Sequence, residues 1–498
     1  MGVSSQQKNL HLLWRAGFGP GAADLPAVNS GNAVSLYKEL LAVSKAAPAY
    51  IDVVDADLKA LLMDMESGEG MKKSALSDEQ KRNLRVKSKE GLKNLNLAWL
   101  GQMVNSPQQL REKMSLFWHG HFASRTVNIF YQQELLDIIR SNALGNFGSL
   151  LKAVSKSASM INFLNNNQNR KDHPNENFAR EVMELFTMGR GNYTENDIKE
   201  SARAFTGWGA GIKGDFVFRE RQHDDGIKVF LGKTGHFSGD DILQIILEQK
   251  QTARFITEKI YRYFVNTDAA PDKIEWLANR FYQQQYNIES LMTDIFTSDW
   301  FYSDKNTGVK IKSPVELLVG IRRMLPMQIG NEEVQLLLQR LLGQLLFYPP
   351  NVAGWPGGRN WIDSSTLMMR LRIPRLIYEG DDFKMKPKDD DDQMMGMKDR
   401  EMAGGSEENT VPNAGKRSNR GGKGGQQIIA SIQWSKYLQQ FEQVARENLV
   451  DAIAKTLLQV KTPVNAGTIK EYADAGTRES FIKTVTVQLM STPEYQLC

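Results

Sequence analysis

The sequence predicts a mainly α-helical protein, and three observations support that fold class. Helix-capping signals recur along the 498 residues, and apolar side chains follow many of them at helical spacing. Apolar residues make up 41% of the chain, as in ordinary globular proteins. Evidence for strands is thin, since only residues 215–219 and 227–231 flank a turn in a way that indicates one small hairpin.

The helices are expected in the following order. A capping box at Ser77–Gln80 begins a long helix, and Ser106 followed by Pro107 begins the next one. Further helices are predicted over residues 128–143, 146–157, 175–188, 194–205, 240–248, 252–265, 272–284, 288–296, 314–324, 332–345, 442–460 and 478–490.

One segment departs from this pattern. Residues 384–426 combine an acidic run, a Met-rich patch and a Gly-rich basic tail, with almost no branched or aromatic side chains. Such a segment buries too little apolar surface to offset its chain entropy, so we predict a disordered insertion. Length alone suggests roughly three domains. Because related motifs lie on both sides of the insertion, we instead expect one large multi-helical domain, residues 1–383, on which residues 427–498 pack.

Charge and cysteine content narrow the classes of function. The net charge of +4 is too small to indicate a nucleic-acid or anionic-membrane partner. The single cysteine, Cys498, excludes an intramolecular disulfide and a Cys-rich metal site, so any metal must be held by nitrogen and oxygen. The sequence has no apolar run of about 18 residues, so no transmembrane segment is predicted, and no signal peptide is recognisable. We expect a cytoplasmic protein, or an exported one if the sequence is a mature form.

The first candidate site lies in residues 111–125. On a helix, His121 falls within the apolar stripe and His119 falls on the opposite face. If Gly120 ends the helix, an extended chain turns both imidazoles to the same side, an arrangement found among metal ligands. For each histidine the alternative is a hydrogen-bonded residue of the core.

The second candidate site lies in residues 165–191. Asn175 is expected to cap a helix on which Asn177, Glu181 and Glu184, spaced i, i+4 and i+7, follow one edge of the apolar face. Two carboxylates beside a buried face are costly unless they are paired or bound to a metal. Metal coordination and acid–base catalysis both use converging oxygens of this kind. The alternative is a structural ion-pair network with Arg180, Arg190 or Arg203.

The third candidate site is residues 220–226. His223, Asp224 and Asp225 are adjacent at a turn between the two predicted strands. They could supply metal ligands, and the alternative is a turn stabilised by hydrogen bonds from the aspartate side chains.

Several longer motifs occur in a fixed order along the chain. They are residues 11–19 (HLLWRAGFG), 117–122 (FWHGHF), 174–186 (PNENFAREVMELF), 204–208 (AFTGW), 223–224, 231–232, 349–358 (PPNVAGWPGG), Trp361 and 491–495 (STPEY). Together they resemble the bacterial family called domain of unknown function 1800, DUF1800, over nearly the whole chain. The resemblance implies that His121, Glu181, Glu184, His223 and Asp224 lie in motif blocks, and that a sulfatase-like partner protein often accompanies members. It implies no activity.

Two functional hypotheses follow. In the first, the chain is a metal-dependent enzyme with a His/Glu/Asp site between helices. His121, His223, Asp224 and Glu181 would then hold a divalent metal ion, and Glu181 or Glu184 would act as the catalytic general base. In the second, the chain is a non-catalytic helical binding or scaffold protein of the cell envelope that acts with the sulfatase-like partner. The same residues would then form a buried polar network.

Overall fold

The computed structural model describes residues 3–60, 77–211, 214–380, 382–383, 426–460 and 466–498. Over these residues the mainly helical fold is confirmed, and none of the described helices is long and apolar enough to cross a membrane. The α-helices are Ser5–Ala16, Leu25–Ser30, Ala33–Ser44, Asp78–Asn105, Gln109–His121, Ile129–Asn142, Phe147–Lys156, Ala158–Phe163, Asn177–Glu181, Glu195–Ala204, Gly239–Leu247, Lys250–Phe264, Pro271–Gln283, Ile288–Phe296, Pro314–Met324, Glu333–Leu341, Ser364–Glu379, Ser435–Gln439, Leu449–Leu457, Ala466–Glu471 and Arg478–Met490.

Side-chain caps determine where several of these helices begin. Ser77 accepts a hydrogen bond from the backbone N–H of Gln80, and the Gln80 side chain accepts from the Ser77 N–H, as the capping box predicts. The expected start at Ser106 is wrong, because Ser106 ends the preceding helix and the next helix begins at Gln109. The Gln109 side chain donates to the carbonyls of Met103 and Ser106, which fixes the bend between the two helices.

The strands are short and pair in twos, all antiparallel. Trp208–Ala210 pairs with Phe216–Phe218, Lys228–Phe230 with Lys233–Gly235, Met327–Ile329 with Ala430–Ile432, and Asp382–Phe383 with Gln426–Gln427.

The two segments predicted to form one hairpin are both strands, but their pairing with each other is wrong. Leu231 and Gly232 both have positive φ (45° and 78°), which suits a two-residue turn of type I′ and folds the second segment back on residues 233–235. The first segment instead pairs with the chain before it. The predicted insertion, residues 384–426, lies outside the described residues except for Gln426.

The apolar side chains form two large clusters and smaller ones beside them. The first cluster draws on helices between Leu12 and Tyr302. The second combines Ala22 and Leu25 with residues 317–377 and 428–495, so chain from both sides of the insertion shares one core. A smaller cluster around Trp99 and Phe347 lies alongside them.

A buried ion pair connects three distant parts of the fold. Lys113, on the helix Gln109–His121, pairs with Glu316, and both side chains are under 5% exposed. Lys113 also donates to the carbonyl of Trp14 at 3.1 Å, and Glu316 accepts from the Ser313 N–H at 2.6 Å. The pKa of Glu316 is lowered to about 2, because the attraction of Lys113 and Lys310 outweighs the effect of burial.

Removing one partner of this pair should destabilise the protein strongly, because the other charge stays buried without its counter-ion. We expect Glu316→Gln to lower the free energy of unfolding by about 3–5 kcal/mol in urea titrations. The control is Glu275→Gln at the exposed pair with Arg254, where we expect a loss of about 0–1 kcal/mol. Equal losses in the two variants would show that the buried pair has no special role.

Candidate functional site

His119 and His121 point in different directions from one helix. The helix Gln109–His121 continues through Gly120, so the extended arrangement with both imidazoles on one side is not adopted. His119 Nε2 accepts a hydrogen bond from the Phe347 N–H at 3.2 Å, and the ring lies 5.4 Å from that of Trp355. His121 faces the segment that carries the two glutamates. His119 therefore contacts Trp355 in the motif of residues 349–358, and His121 contacts Phe186 in the motif of residues 174–186.

The imidazole of His121 is buried among aromatic rings. Its Nε2 lies 3.0 Å from the Phe186 carbonyl oxygen, which only accepts, so Nε2 carries the proton. Burial, and secondarily the charge of Lys259, hold the pKa of His121 well below its usual value, so the ring is neutral. Nδ1 keeps its lone pair and has no hydrogen-bond partner among the described residues.

The two glutamates lie at the junction between an α-helix and a π-helix. The α-helix Asn177–Glu181 is followed directly by the π-helix Val182–Thr187. The Met188 N–H donates to the Met183 carbonyl at 2.9 Å, five residues back, as a π-turn requires. Single π-turns are rare, and in other proteins they occur frequently at functional sites.

Glu181 and Glu184 are held in different ways. Glu184 accepts hydrogen bonds from Arg190 Nε and Nη2, at 3.0 and 2.6 Å, and from the Tyr193 hydroxyl at 2.9 Å. Glu181 is half-buried, and its carboxyl group forms no hydrogen bond or ion pair with any described residue. Burial raises the pKa of Glu181, and the negative charge of Glu184 raises it further, against a smaller lowering by the charges of Arg180 and Arg190. We call Glu181 and Glu184 the carboxylate pair.

The asparagine-rich chain before this helix is largely occupied in fixing the fold. Asn166 donates to the carbonyls of Phe205 and Trp208 at 3.3 Å. Asn169 donates to Asn166 Oδ1 at 3.1 Å and to the Ala202 carbonyl at 2.8 Å. These amides hold residues 165–169 against the helix that ends at Ala204.

His223 and Asp224 have structural partners outside the carboxylate pair. His223 Nδ1 donates to the Thr206 carbonyl at 2.9 Å. Asp224 forms a bidentate ion pair with Arg203, at 2.8 and 3.1 Å, which holds the pKa of Asp224 below its usual value. Asp224 Oδ1 also accepts from the Gly226 N–H at 2.8 Å, which is the turn-stabilising bond expected from the sequence.

The structure thus brings Glu181 and Glu184 together. It also places His121 against the π-helical segment, through the hydrogen bond to the Phe186 carbonyl. Arg203 and Thr206 hold Asp224 and His223 in a separate turn. Among the described residues, no group of three or more His, Cys, Asp or Glu side chains could hold a metal ion. The divalent metal ion stays a prediction.

Some residues of this region were not predicted from the sequence. Lys259 contributes to the charge around His121, and its Nζ lies 4.9 Å from the centre of the Phe255 ring. Burial lowers the pKa of Lys259 to about 8. Tyr193 binds Glu184 nine residues along the chain, a distance that no helical spacing connects. Lys259 lies between the apolar residues Ile256 and Ile260, and this position in the sequence could have indicated a buried lysine.

These features define a class: a helical protein in which a buried histidine contacts a π-helix that carries two acidic side chains. The chain belongs to the family described as protein of unknown function (DUF1800), whose model matches residues 11–497. No curated protein and no solved structure matches it. The family resemblance seen in the sequence is therefore confirmed. The sulfatase-like partner and the cellular compartment stay predictions.

The conformation of the loop of residues 349–358, and its close approach to Gly120, should depend on one glycine. Gly354 has φ +81°, and a Cβ atom there would lie 2.3 Å from the Gly120 carbonyl oxygen. We expect Gly354→Ala to cost about 1–3 kcal/mol from backbone strain alone, with the clash adding to it. Gly357→Ala is the control, since nothing lies within 4 Å of its Cβ. Urea unfolding of both variants measures the difference, and equal stabilities would contradict the close approach.

The pKa of Glu181 should depend on Glu184. We expect Glu184→Gln to lower the pKa of Glu181 toward its usual value, because the substitution removes the neighbouring negative charge. NMR titration of the carboxyl carbons of ¹³C-labelled glutamate measures this, with Glu181→Gln to assign the signal. Glu248→Gln, an exposed partner of Lys233, is the control and should leave the signal unchanged. A Glu181 signal that titrates identically in Glu184→Gln would contradict the coupling.

Proposed function

We propose that the chain is an enzyme that uses the carboxylate pair for general acid–base catalysis, with Glu181 as the group that accepts and returns the proton. The observation that carries this proposal is the free carboxyl group of Glu181. Glu181 forms no hydrogen bond or ion pair with the described residues, so its half-exposed carboxyl group is open to a substrate.

Glu184 supports this role by its fixed position. Arg190 and Tyr193 bind it with three hydrogen bonds, so it cannot easily turn away from Glu181. A fixed negative charge beside Glu181 raises the proton affinity of Glu181 toward the working range of a catalytic acid or base. Two neighbouring carboxyl groups with different environments are the usual arrangement when one acts as an acid or base.

The π-helix supports the proposal independently of charge. Its wider turn lacks the usual i+4 bonding, yet it persists in a buried setting with Val182, Met183 and Phe186 in the core. Buried His121 donates to the Phe186 carbonyl and so stabilises this turn. We assign His121 a positioning role, because its Nδ1 is buried and its Nε2 is bound to the backbone.

A divalent metal ion remains compatible with the proposal as an additional component. Glu181 keeps both carboxylate oxygens free, and such oxygens suit Mg²⁺ or Ca²⁺. The geometry favours Glu181 over Asp224 as a ligand, since Arg203 already binds Asp224 through both carboxylate oxygens. Elemental analysis of the purified protein and of Glu181→Gln measures the metal content that depends on this carboxylate.

The test is a screen of purified protein against chromogenic esters, amides, glycosides, phosphate esters and sulfate esters, with and without added divalent ions. We expect turnover of at least one class, and a loss of about 10²–10⁴-fold in kcat/KM for Glu181→Gln. Glu275→Gln, at an exposed site, is the matched control and should retain full turnover. Turnover that survives unchanged in Glu181→Gln would contradict the proposal.

A further inference from the structure

Five cationic side chains lie together in the interior of the protein and include no member of the carboxylate pair. They are Arg15, Lys113, Lys310, Lys312 and Arg370, and each is at most 7% exposed. Arg15 and Lys113 both influence the pKa of Lys310, and Arg370 and Lys113 influence that of Lys312. We call these five side chains the cation cluster.

The negative charge around the cation cluster is smaller than its positive charge. Glu316 pairs with Lys113, and Cys498, whose backbone oxygen accepts from Arg15 at 2.7 Å, adds negative charge. The other partners are neutral. Arg15 donates to backbone carbonyls, and Lys312 Nζ lies 3.6 and 3.8 Å from the ring centres of Trp14 and Tyr495.

Carbonyl dipoles and aromatic faces reduce the cost of burying a cation, but they contribute no counter-charge. An excess of positive charge is therefore present whenever both lysines are protonated. Burial lowers the pKa of Lys310 to about 8 and that of Lys312 to about 7, as expected where a cation lacks a full counter-charge.

Two donors of this region have no acceptor among the residues that the structure describes. Lys310 Nζ forms no hydrogen bond with a described residue and lies 4.5 Å from the centre of the Tyr263 ring. The Tyr263 hydroxyl is buried and has no partner within the described chain. Lys113 Nζ lies 5.9 Å from the centre of the same ring, so two ammonium groups lie over the ring that carries this unpartnered hydroxyl group.

We propose that the cation cluster binds a small inorganic oxyanion, phosphate or sulfate, through Lys310 and the Tyr263 hydroxyl. Such an anion supplies the missing counter-charge and accepts from both donors at once. The ligand is a free ion rather than a phosphate group on a larger molecule, because Lys310 is only 7% exposed and leaves no surface for a bulky carrier.

The experiment uses sulfate, whose charge is constant between pH 6 and 9, and inorganic phosphate as a second probe. Thermal unfolding is followed with up to 10 mM sulfate against sodium chloride of equal ionic strength. We expect Tm to rise by about 2–5 °C in sulfate, and calorimetric titration to give one site per chain. Sulfate affinity should fall from pH 7 to pH 9, because Lys310 loses its proton over this range.

Three variants assign the effect to the site. Lys310→Met should abolish the sulfate-dependent shift, and Tyr263→Phe should weaken binding about tenfold by removing one hydrogen bond. Lys305→Met, an exposed lysine five residues away, is the matched control and should behave as the wild type. If Lys310→Met does not fold, Tyr263→Phe alone decides. A sulfate shift no larger than that of chloride, or equal in all variants, would overturn the proposal.

Discussion

The buried ion pair between Lys113 and Glu316 joins parts of the chain that lie 203 residues apart. Lys113 also reaches the Trp14 carbonyl, so the N-terminal helix is held at the same point. Taking two charges out of water is costly, and the cost is recovered only where geometry and further hydrogen bonds are favourable. Glu316 meets this condition through its bond from Ser313 at the start of its own helix. The packing of helix Gln109–His121, and with it the position of His121, depends on this interaction.

Local signals predicted local structure well. The capping box at Ser77 needed only neighbouring residues and gave a correct helix start. The apolar spacing around Phe178 gave a helical segment, but not the change from α-helix to π-helix at Val182. The pairing of the short strands was wrong because it depends on turn conformation, and the positive φ of Leu231 is not apparent from a leucine. The cation cluster was not predicted for a related reason. A lysine such as Lys312 looks like a surface residue until its distant partners Trp14 and Tyr495 are known.

In the candidate site, too, neighbouring residues predict some features and distant partners determine the others. The closeness of Glu181 and Glu184 follows from their spacing on one helix, and the effect of one on the pKa of the other bears this out. Their difference does not follow from spacing, because it arises from Tyr193 and Arg190 beyond the helix. His223 and Asp224 carry the residue types of a metal site, yet Arg203 comes from a helix upstream and engages Asp224. The residue types of His223 and Asp224 alone could not show that Arg203 would bind Asp224.

The bond from Arg15 to the backbone oxygen of Cys498 spans 483 residues, and the backbone of Cys498 also pairs with Lys310 in both directions. During synthesis on the ribosome, the N-terminal helix therefore emerges long before its last partners exist. Until residues 495–498 have been synthesised, Arg15 and Lys312 lack carbonyl acceptors that they use in the finished fold. Contacts of such long range form late and slowly. The first motif of the chain can therefore complete its contacts only after the last one has been synthesised.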